Sequence, residues 1–125
     1  MPDFEIIPLK SYRYDTGLEG PDILVTGGIH GWEPSGPIGI MKVIDMLDRG
    51  HIKLKKGSLT LIPECNPPAL EKDIEGINRN LNRGFYYREK PALYEDCLSN
   101  AIGRFLESCT HYIDIHTYDE DIPYA

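Results

Sequence analysis

Short apolar runs along this chain alternate with longer stretches in which apolar residues return every three to four positions. Asp22 to Thr26 contains the run Ile23-Leu24-Val25, which predicts a strand buried on both faces in a parallel sheet. Pro34 to Arg49 has helical periodicity: Ile40, Met41, Ile44 and Leu47 share an apolar face, Lys42, Asp45 and Asp48 a polar stripe, and Gly50 offers a left-handed cap. Leu59 to Ile62 predicts the next strand, ended by Pro63. Tyr94 to Cys109 predicts a second helix with Tyr94, Cys97, Leu98, Ala101, Ile102 and Phe105 inward. Tyr112-Ile113-Asp114-Ile115 reads as a last buried strand. Upstream, Phe4 to Leu9 and Tyr12 to Tyr14 predict an opening hairpin or edge strands. Pro67 to Pro91 has weak periodicity and reads as a loop excursion from a rigid sheet.

Strand, helix, strand, helix, strand implies an α/β fold, a three-layer α/β/α sandwich with a mixed, mostly parallel sheet and right-handed crossovers. Residues 1–125 are expected to form a single domain, since this length can bury a core. A buried strand so close to the last residue leaves a sheet edge that further chain or a partner would cover, so an oligomer through that edge is one expectation.

Composition narrows the class. With 41% hydrophobic and 26% charged residues, no basic-then-apolar leader and no membrane-length apolar run, the chain reads as a soluble domain away from membranes. Cys65, Cys97 and Cys109 are an odd number without zinc-ribbon spacing, which suggests buried reduced thiols and a cytoplasmic setting. A net charge of −7 argues against nucleic acid as a partner. Lys53, Lys55 and Lys56, the one basic cluster, read as a solvated turn. An anionic substrate would have to be held by local contacts, against the field of the whole protein.

The candidate chemistry lies at strand ends. His30 and Glu33, in Gly27-Gly28-Ile29-His30-Gly31-Trp32-Glu33, follow the Asp22 to Thr26 strand, and His116 follows the last. Two imidazoles and a carboxylate leave one tetrahedral position for water, the pattern of catalytic rather than structural zinc. A spacing of three residues at a helical turn lets His30 and Glu33 converge on one ion. Asp114, two residues before His116 on the same side, either orients that imidazole or takes a backbone hydrogen bond. Arg83, a planar fork for a carboxylate, and Asn82, a donor and acceptor, are candidate substrate-binding residues, although in a loop such side chains are usually just solvated.

These residues resemble the succinylglutamate desuccinylase/aspartoacylase family of zinc-dependent, carboxypeptidase-like hydrolases. His30-Gly31-Trp32-Glu33 is similar to its first ligand motif, Asn66-Pro67-Pro68-Ala69 to its Asn-Pro-x-Ala turn, Asn80-Leu81-Asn82-Arg83-x-Phe85 to its Asp-Leu-Asn-Arg-x-Phe segment, and Asp114-Ile115-His116 to its Asp-Leu-His ligand strand. The resemblance implies a zinc-exopeptidase-like fold and one zinc ion on His30, Glu33 and His116. It also implies hydrolysis of the amide bond of a small anionic N-acyl amino acid, gripped by Asn82 and Arg83. Alternatives are a zinc carboxypeptidase acting on peptides, a non-catalytic zinc-binding module, and a plain α/β domain in which both histidines merely cap strands.

Three departures stand out. Asn80 replaces the family's Asp. Glu75 occupies the ungapped position of an Arg thought to polarise the scissile carbonyl, with Arg79 nearby at a different offset. The family's general-base glutamate belongs to a later strand and is expected beyond residue 125, so the chain reads as the N-terminal portion of such an enzyme. Asp119, Glu120 and Asp121 are the carboxylates after His116 and read as a solvated loop.

Overall fold

A computed structural model describes residues 9–117. Strands β1 (Tyr12–Asp15), β2 (Asp22–Thr26), β3 (Ser58–Ile62) and β4 (His111–Asp114) form one sheet in the order β1-β3-β2-β4. β1 runs antiparallel to β3, while β2 is parallel to both β3 and β4. The helices are α1 (Ser35–Asp48), α2 (Pro67–Lys72) and α3 (Tyr94–Ser108).

Side-chain alternation divides the core between the two sheet faces. On one face, Val25 and Leu61 pack with Ile40 and Ile44 of α1, flanked by Tyr12, Tyr14, Ile23, Leu47 and Leu59. On the other, Leu24 and Ile62 pack with Tyr94, Leu98 and Ile102 of α3, together with Ile29, Cys65 and Leu81. This is the expected three-layer α/β/α sandwich. The Tyr14 hydroxyl donates to Asp48 Oδ1 at 2.7 Å, joining β1 to the end of α1.

Several expectations are corrected. Among the described residues β4 is an edge strand with one neighbour, and Tyr112, Ile113 and Ile115 are 41%, 50% and 36% exposed rather than buried. The apolar pattern records residue type and cannot record that no strand among the described residues pairs with its other edge. Met41 is also exposed, because α1 meets the sheet through Ile40 and Ile44, four residues apart, with Gly36 and Pro37 also buried near its start. Pro67 opens a short helix inside the expected loop; a proline costs no hydrogen bond in a first turn. The stretch 4–8 of the expected opening strand lies outside the described residues, and Leu9 packs on the α3 side without being in a strand.

All three cysteines are free, but Cys97 and Cys109 are only half-buried; Cys65 is buried, and burial pushes its thiol pKa far up, so it stays protonated. Lys53, Lys55 and Lys56 are exposed. No helix of the described residues is long and apolar enough to cross a membrane.

Candidate functional site

Backbone bonds continue the sheet past its strand ends. Gly27 N–H donates to the Ile62 carbonyl, Cys65 N–H to Gly27, Asn66 N–H to Gly28 and Ile115 N–H to Thr26, all within 2.9–3.0 Å. Gly28 turns the chain at φ +66°, open to glycine at little cost. Gly31 lets the α2 segment press close: a Cβ there would lie 1.9 Å from the Ala69 carbonyl oxygen and 2.4 Å from that of Ile74. His30 and Glu33 lie in a turn before α1, not in the helix itself, closed by Glu33 N–H on the His30 carbonyl at 3.3 Å.

The structure brings His30, Glu33 and His116 together. One ligand-type atom from each lies within 4.8 Å of the others, and the imidazole centroids are 5.2 Å apart. His30 Nδ1 meets Glu33 Oε2 in a short contact, and His116 Nδ1 lies 3.3 Å from Glu33 Oε1, which also accepts the Thr117 N–H at 2.5 Å. Both rings thus turn Nδ1 toward Glu33 and Nε2 outward. Glu33 is buried, and each outward Nε2 has its own partner.

Behind His116, Asp114 Oδ2 lies 2.5 Å from Nε2, while Asp114 Oδ1 accepts the buried Thr26 hydroxyl at 2.8 Å. Of the two readings of Asp114, the structure displays the ring-orienting one. Burial foremost, with the nearby Asp114 charge, raises the pKa of Tyr112 well above its ordinary value despite the opposing bond to Thr26. Because the Thr26 hydroxyl spends its one proton on Asp114, the Tyr112 phenol donates to Thr26 Oγ1 at 2.7 Å, completing a Tyr112, Thr26, Asp114, His116 chain. Thr26 was legible only as a polar residue at the end of an apolar strand.

Behind His30, Nε2 lies 2.7 Å from Asn80 Oδ1, which also accepts the Asn82 N–H at 2.8 Å. Asn82 and Arg83 are exposed, and the Arg83 guanidinium donates to the Asn82 carbonyl at 2.9 Å. Arg79 is committed elsewhere: Nε donates to Asp96 Oδ1 at 2.9 Å and Nη1 to the carbonyls of Asn80 and Arg83, leaving Nη2 without a partner among the described residues. At Asp96 burial works against the charge, but the Leu93 and Ala92 N–H groups and the guanidiniums of Arg79 and Arg88 outweigh it and hold the carboxyl below its usual range.

The loop carrying these groups hangs on a residue that pattern reading missed. Glu95 on α3 is fully buried, and its carboxylate accepts Asn66 Nδ2 and Ile77 N–H on one oxygen and the Asn78 and Arg79 N–H groups on the other, at 2.8–3.0 Å. A glutamate in the first turn of a helix ordinarily reads as solvated and dipole-favoured, so the sequence held no signal beyond its type.

Fold and cluster define a class: α/β proteins in which parallel strands present a histidine, glutamate, histidine set at their carboxyl ends. The pattern of the succinylglutamate desuccinylase/aspartoacylase catalytic domain matches residues 19–123, and the chain belongs to that family, a family of deacylases. Among solved structures, an aspartoacylase family protein from Mesorhizobium loti is 30% identical with a TM-score of 0.76, over 86% of this chain and 34% of that one. A succinylglutamate desuccinylase/aspartoacylase from Rhodobacter sphaeroides is 25% identical with a TM-score of 0.71, over 89% and 34%. A succinylglutamate desuccinylase from a Silicibacter species shares the fold at 23% identity and a TM-score of 0.73, over 87% and 33%. The chain therefore spans about a third of the length of these proteins. None of the curated proteins matches it.

Proposed function

We propose that this chain carries the metal centre and part of the substrate site of a zinc-dependent hydrolase that cleaves the amide bond of a small N-acyl amino acid. The observation that supports it most is the convergence of His30, Glu33 and His116 on one point, with both outward ring nitrogens held. Zinc to ligand bonds of about 2.0–2.2 Å in a tetrahedron place donors roughly 3.3–3.6 Å apart. The 3.3 Å between His116 Nδ1 and Glu33 Oε1 matches that spacing, whereas the shorter contact of His30 Nδ1 with Glu33 Oε2 would have to open to admit the ion. The donor set fits zinc, which supplies a Lewis acid that activates water near neutral pH and polarises an acyl carbonyl.

The residues of this chain would act around that centre. Arg83 grips the substrate carboxylate through its two parallel N–H groups, and Asn82 adds a donor and an acceptor. The carboxylate that transfers the proton is proposed, from the family resemblance, to lie on a later strand beyond residue 125. A cytoplasmic setting goes with this reading, supported by three unpaired cysteines.

The test is hydrolysis of N-acetylaspartate, N-succinylglutamate and short peptides by the full gene product. One of the two N-acyl amino acids should be the best substrate, and Arg83→Lys should raise its KM about tenfold with a smaller change in kcat, because an ammonium cannot reproduce the fork. Preference for peptides would favour the carboxypeptidase alternative. Hydrolysis of none of the three would contradict the proposal.

A further inference from the structure

Asn80 and Glu75, the two positions that depart from the family's pattern, are in contact: Asn80 Nδ2 donates to Glu75 Oε1 at 3.3 Å. The amide between them has one consistent orientation. A backbone N–H can only donate, so the Asn80 atom 2.8 Å from Asn82 N is the oxygen. A carboxylate can only accept, so the atom facing Glu75 is the amide nitrogen. His30 Nε2 sits 2.7 Å from that same oxygen and must donate to it. The ring then carries a proton on Nε2 and presents Nδ1, the nitrogen that faces Glu33 and His116, as its metal-binding atom.

Resting on the metal centre proposed above, we infer that Glu75 is a positioning residue which, through the Asn80 amide, holds the Nε2–H of His30 and so presents its Nδ1 to a metal ion. An aspartate in place of Asn80 would accept from His30 without help. With Glu75 present, however, it would set two carboxylates about 3 Å apart, which repel. The two departures are therefore a matched pair, an amide where its neighbour is acidic.

The pairing predicts the outcome of a double-mutant cycle on the full gene product, read as zinc Kd by chelator competition at pH 8. Asn80→Leu should weaken binding roughly 10–100-fold, the usual effect of removing the partner of a ligating histidine. Asn80→Asp alone should weaken it at least severalfold, and Glu75→Gln alone by less, since the introduced amide can turn either way. Combining Asn80→Asp with Glu75→Gln should restore or exceed wild-type affinity, because the introduced amide can donate to the introduced carboxylate. A role in folding alone would not give that change of sign. Equal effects of Asn80→Asp in both backgrounds would overturn the inference. Side-chain ¹⁵N shifts of His30 in the metal-free protein decide it separately. A proton on Nε2 in the wild type, lost or redistributed in Asn80→Leu, supports the lock even if no zinc binds, whereas an Nε2 without a proton in the wild type overturns it.

Discussion

Glu95→Ala should lower the unfolding free energy by about 3–5 kcal/mol, as expected when a buried charged group is removed from its partners. Four N–H donors, from Asn66, Ile77, Asn78 and Arg79, converge on a carboxylate with no solvent exposure. Deleting it strands all four and leaves a cavity. Even Glu95→Gln should cost about 2 kcal/mol or more: every partner is a donor, so the new NH₂ must face two of them. Thermal unfolding checks both, with Glu95→Ala melting on the order of 10–20 °C below wild type. A Glu95→Gln protein that melts with the wild type would show that the carboxylate does not hold the loop. The effect should reach the site, because Arg79 and Asn80 follow directly on the anchored backbone.

Glu33→Ala should raise the zinc Kd at least about a hundredfold while leaving the secondary structure intact. Zinc sites of this kind bind with on the order of 10 kcal/mol, so losing one of three donors removes roughly 3 kcal/mol or more. Glu33 contributes doubly, since the oxygen nearest His116 also accepts the Thr117 N–H and so holds the segment after β4 against the site. Chelator competition measures the change, with circular dichroism confirming the fold. Affinity within threefold of the wild type would mean that Glu33 is not a ligand.

The pattern of apolar residues was enough to locate β2, α1, β3 and α3, because each buries a face whose spacing matches its geometry. It failed where position in the assembly, rather than residue type, decides burial. Tyr112 and Ile113 look like core residues but lie on an edge, and Glu95 looks like a surface residue but sits at the centre of a loop anchor. Pro67 and Pro68 carried a helix-start signal that weak downstream periodicity concealed.

The candidate site was legible to the extent that strand ends are predictable. His30, Glu33 and His116, separated by up to 86 positions, were expected at the carboxyl ends of parallel strands, and β2 and β4 are parallel neighbours. The supporting partners were less accessible. Asp114 could be anticipated from alternation along one strand. Thr26, Asn80 and Glu75 depend on contacts across strands or between loops, which no local spacing encodes.

The central claim is that His30, Glu33 and His116 hold one metal ion. Its most direct test is the metal content of the purified protein by plasma mass spectrometry after zinc reconstitution, beside His116→Ala prepared identically. One zinc per chain, lost in the variant, is the predicted result. Zinc retained in full by the variant, or absent from the wild type, would contradict it.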